Sequence, residues 1–114
     1  MKRTYSINKC ATADEAVKIL FKISGELGRF RIDDLSHDKW DDTSVMLPAG
    51  TKLDKVLEET KSRTADVIGV SYYVSGYPVY VYIRLDKEPD KITVATEESA
   101  VFEIIEKSIL PFIK

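Results

Sequence analysis

The stretch "VIGVSYYVSGYPVYVYIR", Val67 to Arg84, constrains the fold more than any other part of the chain. Two alternating runs, rich in β-branched and aromatic residues, flank Ser75-Gly76. Runs of that kind favour strands, and the Ser-Gly pair between them reads as a two-residue hairpin turn. With the turn placed there, Val74 opposes Tyr77, Tyr72 opposes Val79, Val70 opposes Val81 and Ile68 opposes Ile83. All eight then share one face, because side chains alternate along a strand. The other face takes Val67, Gly69, Ser71 and Tyr73 from the first strand. From the second it takes Pro78, Tyr80, Tyr82 and Arg84. Gly69 opposes Tyr82 and Ser71 opposes Tyr80, so the rings have room to lie across the neighbouring strand. Pro78 is compatible with this register. Its missing N–H would point away from the Val74 strand, toward a following strand too short to reach it.

This hairpin holds five of the six tyrosines. The register sends Tyr72 and Tyr77 to the core face and leaves Tyr73, Tyr80 and Tyr82 beside Arg84. One reading makes the second group simple strand formers that tolerate half-exposure. The other makes it a protein-binding face, since tyrosine and arginine are enriched at interface hot spots. A homodimer contact is one form of that reading. Base stacking on an aromatic sheet face is a third use. It fits less well, because Arg84 is the only cation the hairpin supplies, so nucleic acid is not the expected partner.

The rest of the chain supplies partners for the hairpin. "RTYSINK" alternates as a strand with Tyr5 and Ile7 on one side. "TADEAVKILFKISGELG" is a helix. Thr12 and Glu15 have capping-box spacing, and Ala16, Ile19, Leu20, Ile23 and Leu27 form its apolar face. Gly25 or Gly28 ends it. "RFRIDDLS" is a strand with Phe30 and Ile32 on one face, and "SVMLP" is a short strand. "PAGT" delivers Thr51 as the N-cap of a helix with a narrow stripe of Leu53, Val56 and Leu57. "DKITVAT" is a strand. Thr96 then caps a last helix with Val101, Phe102, Ile104, Ile105 and Ile109 on its face, ended or kinked by Pro111. The order is β-α-β-β-α-β-β-β-α. A mixed order with an antiparallel meander predicts an α+β two-layer sandwich with a mainly antiparallel sheet and a C-terminal helix. At 114 residues, the chain 1–114 suits a single domain.

Composition excludes several classes. The chain is 44% hydrophobic and 32% charged, as globular proteins are and disordered chains are not. No apolar run approaches the roughly 20 residues that span a bilayer, and the start "MKRTYSINKC" has no apolar signal region. A lone cysteine, Cys10, allows no internal disulfide framework, and a cytoplasmic location is the expectation. Net charge is −2, unlike the basic balance usual in nucleic-acid-binding domains. The charge is uneven. Residues 1–31 carry seven basic and three acidic groups, and residues 32–62 carry four basic and eight acidic. Such a split can steer a charged partner, though surfaces commonly vary this much.

Candidate chemistry is sparse. "DDLSHDKWDD" surrounds His37 and Trp40 with Asp33, Asp34, Asp38, Asp41 and Asp42. Carboxylates with an imidazole can hold a divalent metal, but this spacing matches neither a calcium loop nor a zinc helix. A solvated acidic loop is the simpler reading. If the loop has a role, it is in pairing with a basic partner, with Trp40 as an anchor. Cys10 precedes the first helix, where a thiol can be activated, yet a small buried residue explains it better. His37 is the only possible histidine base. "SGELGRF" lacks a Walker lysine or dinucleotide fingerprint. The expectation is a small non-enzymatic, cofactor-free protein-binding domain, an adaptor, inhibitor or immunity-type partner. Its expected contacts are Tyr73, Tyr80, Tyr82 and Arg84, then Asp38, Trp40, Asp41 and Asp42. The alternatives are a metal- or small-ligand-binding protein centred on residues 33–42 and a homo-oligomeric structural protein.

Overall fold

Ser75 and Gly76 adopt φ values of 52° and 82°, both left-handed, as a type I′ turn requires. The turn joins β4 (Val67–Val74) to β5 (Tyr77–Arg84) in the expected register, from Val74 opposite Tyr77 to Val67 opposite Arg84. The computed structural model describes residues 1–35 and 44–114. Around the hairpin are β1 (Lys2–Ser6), β2 (Arg29–Asp33), β3 (Val45–Leu47) and β6 (Glu88–Thr96). The helices are α1 (Ala13–Ser24), α2 (Leu53–Lys61) and α3 (Ser99–Ile109). The element order is the predicted one, and the fold is an α+β sandwich. Its six-stranded sheet runs β1-β6-β5-β4-β2-β3, antiparallel throughout.

The core forms where the inner sheet face meets the helices. Ile68, Val70, Val81 and Ile83 of the hairpin are fully buried with Phe30, Ile92 and Val94. Leu20 and Val17 of α1, Val56 of α2 and Phe102 and Ile105 of α3 complete the same cluster. Burying each such side chain is worth roughly 1.5–3 kcal/mol over leaving it in water. Val56 is the one fully buried apolar residue of α2, with Leu53 and Leu57 only partly covered, as its narrow stripe implies.

Local details depart from expectation at the helix ends. Thr12 does cap α1, its Oγ1 accepting from the Glu15 N–H at 3.3 Å, and Glu15 Oε2 reaches back to the Ala11 N–H at 2.8 Å. The helix stops at Ser24, so Leu27 falls in a following 3₁₀ turn, off the apolar stripe and 74% exposed. Thr51 does not cap α2. Its hydroxyl donates to the Pro48 carbonyl at 2.6 Å, and Lys52 takes the N-cap position. Nor does Thr96 cap α3. It bonds the Pro78 carbonyl at 3.3 Å, and the Glu98 side chain caps instead, accepting from the Ala100 N–H. Ile104 points outward and is 46% exposed. Pro111 follows the helix in a 3₁₀ turn. Cys10 is buried, and burial, with Glu15 adding to it, pushes its thiol up, away from the thiolate form.

The hairpin outreaches its neighbours. β2 begins at Arg29, opposite Ser71, and β6 ends at Thr96, opposite Val79. Pro78 therefore lies one step past β6, and no ladder bond is lost there. Tyr77 shares the inner-face side, but it projects with the tip and is 45% exposed rather than buried. Tyr72, one pair closer to the sheet, is buried, and its phenol is pushed up to about 12 by that burial.

Candidate functional site

All three helices pack on the inner face, so no helix among the described residues covers the outer one. The register places the outer side chains in rows across the sheet. One row runs Lys2, Ala95, Tyr80, Ser71, Arg29. The adjacent row runs Thr4, Thr93, Tyr82, Gly69, Arg31, Met46. Toward the turn, the overhanging pair Tyr73 and Pro78 continues the face.

Tyr80 and Tyr82 stack with centroids 5.2 Å apart and planes 27° from parallel. Tyr80 leans back over Gly69, where a Cβ would come within 2.2 Å of its hydroxyl oxygen. Glycine at position 69 is thus the seat of the ring. Burial is the main cause that pushes the Tyr80 phenol up to about 12. The charge of Asp33 adds to this, and that of Arg31 opposes it. Lys2 Nζ stands 5.8 Å from the Tyr82 ring centre, a cation–π contact.

Because Tyr80 leans away from the tip, a groove opens between it and the tip row. Its cavity volume is about 540 Å³. Ser71 and Ala95 supply small side chains to its floor, and Tyr73, Pro78 and Leu27 border it on the tip side. Tyr73 is 70% exposed. Lys2 with Met1 and Glu97 lines one end, and Arg29 with Ala49 the other.

The predicted site residues therefore separate. Tyr73 and Tyr80 line the groove, and Tyr82 supports it from behind through the stack. Arg84 lies on the same face but outside the groove, bonded to Asp86 at 2.9 Å. Asp38, Trp40, Asp41 and Asp42, with His37, lie outside the described residues. Of the metal reading, Asp33 and Asp34 are described, and Asp33 takes hydrogen bonds from Arg31 and Ser44. Among the described residues no three metal-capable side chains gather.

Sequence reasoning missed Lys2, Arg29 and Leu27. Their approach depends on the strand order, which local patterns do not reveal. The one available signal was the basic excess in residues 1–31, since Lys2, Arg29 and Arg31 all reach this face. Among the described residues no helix is long and apolar enough to cross a membrane. No protein-family model matches the chain, and neither a curated protein nor a solved structure is significantly similar to it.

Proposed function

We propose that this chain is a small non-enzymatic protein-binding domain, of adaptor, inhibitor or immunity type, that holds another protein on its outer sheet face. One observation carries the reading. The sheet packs its helices on the other face, this face is free of helices among the described residues, and there it carries a groove bordered by exposed Tyr73 and half-buried Tyr80. An apolar depression with aromatic walls and a charged rim has the anatomy of a recognition surface. A cytoplasmic setting goes with it, supported by the lone, buried thiol of Cys10.

Tyr73→Ser tests the proposal, because that side chain is 70% exposed and its loss should change stability by no more than about 0.5 kcal/mol. The wild-type and variant chains are immobilised and exposed to extract of the source cell, and the retained proteins are quantified by mass spectrometry. A protein retained by the wild type and lost from the variant supports the reading. Equal retention by both chains refutes it.

A further inference from the structure

We infer that the groove takes an extended acidic segment of the partner, laid across the strands with one carboxylate near Lys2 and another near Arg29. The inference rests on the protein-binding reading above and specifies its ligand. Most cations of this face are already engaged. Arg31 holds Asp33 at 2.9 Å, Arg84 holds Asp86 at 2.9 Å, and Lys91 donates to Ser6. Lys2 and Arg29 are exposed, and among the described residues neither has a carboxylate at ion-pair distance. They stand at opposite ends of the groove, where, among the described residues, Lys2 has only its cation–π contact with Tyr82, so neither charge is neutralised by a carboxylate where a crossing chain would enter and leave.

The span sets the spacing. From β1 through β6, β5 and β4 to β2 are four strand intervals, roughly 19 Å at ~4.8 Å each. An extended chain rising ~3.3 Å per residue crosses that in about six residues. The two acidic residues thus fall five or six positions apart, with an aromatic or large apolar side chain between them, placed against Tyr73 and Tyr80. Glu97 also lines the Lys2 end and offsets part of the Lys2 charge, so that end takes one carboxylate at most and the Arg29 end supplies the larger share of the attraction. A single-stranded nucleic acid fits less well. It gains affinity from a series of phosphate contacts, and two open cations at the ends of an apolar groove do not follow its backbone.

The test is selection of phage-displayed random dodecapeptides on the full chain, followed by fluorescence anisotropy with the labelled consensus peptide. The expected consensus has two acidic residues five or six apart around an aromatic or large apolar one. Its affinity should fall about tenfold in Lys2→Gln and again in Arg29→Gln, and should weaken as salt rises. Urea midpoints equal to wild type show that both variants fold. A consensus without the acidic pair, no enrichment, unchanged affinity in both variants, or tighter binding of a labelled single-stranded oligonucleotide each overturns the inference. The protein-binding reading is judged separately. It stands if Tyr73→Ser loses its partner, whatever peptides are selected, and it falls if that partner is kept.

Discussion

Gly69→Ala should destabilise this protein, although alanine is normally the better residue in a strand. Relieving glycine's backbone freedom contributes about 0.5–1 kcal/mol in favour of alanine. Against it stands Tyr80. The added Cβ would come within 2.2 Å of the Tyr80 hydroxyl oxygen and 2.4 Å of its Cζ, so the ring must leave its seat. Leaving forfeits the stack on Tyr82, worth about 0.5–1.5 kcal/mol. It also exposes on the order of 60 Å² of ring, about 1.5 kcal/mol more. The balance is a net loss of about 1–2 kcal/mol, read as a lower urea midpoint at constant slope. The decisive measurement is the cycle with Tyr80→Ser. Without the ring, Gly69→Ala should turn neutral or stabilising by up to about 1 kcal/mol, so the coupling between the two sites is about 2 kcal/mol. An equal loss in both backgrounds would refute the argument, because the cost would then lie in the backbone and not in the ring.

Two further outcomes follow from local geometry. Ser75 holds φ 52° without being glycine, so Ser75→Asn should stabilise the hairpin by a few tenths of a kcal/mol, checked by thermal melting. Tyr5, Tyr72 and Tyr80 are each raised to about 12 from the ordinary 10, chiefly by burial. Folding holds these protons, so stability is intact below pH 10 and falls as pH rises from about 10 to 12. Near-ultraviolet phenolate absorbance should therefore show a late, cooperative ionisation step coincident with loss of far-ultraviolet circular dichroism. Complete ionisation of all six tyrosines near pH 10 in a folded chain would contradict it.

Much of this structure was legible wherever the physics is local. Alternation around a Ser-Gly turn sets the β4–β5 register, since slipping by one residue would send Ile68, Val70, Val81 and Ile83 to the open face. The pairing of Gly69 with Tyr82 and Ser71 with Tyr80 likewise announced rings lying across a strand. Legibility failed where several groups compete for one partner. Thr51 and Thr96 have the chemistry of caps, but a nearby proline carbonyl takes each hydroxyl. Tyr77 has the right parity to be buried, but parity says nothing about how far the helix layer extends beneath a projecting tip. The groove was least legible of all. Lys2 and Arg29 meet one surface only because β1 and β2 stand on either side of the β6-β5-β4 meander. Pairings so distant in sequence have no signature in any short window.

If the chain holds a protein partner as proposed, the same topology favours a partner laid across this sheet over one that adds a strand to it. Strand addition needs a long, unpaired edge. On one side the edge strand β3 is only Val45–Leu47. On the other, β1 carries Lys2 and Arg3, charges that discourage edge pairing, and the chain end closes on its far part. Ile7 bridges Ile113 there, and the Lys114 N–H donates to the Ser6 carbonyl at 3.0 Å. The free length of β4 beyond β2 is Tyr72–Val74, enough for a single pair of ladder bonds. Both edges are thus blunted while the face stays free of helices among the described residues. On the proposed reading, binding across the strands depends on side chains, and selectivity would rest with Tyr73, Tyr80 and the two end cations. Substituting Tyr73, Lys2 or Arg29, all exposed, should then change which partner is held while leaving the sheet that presents them intact.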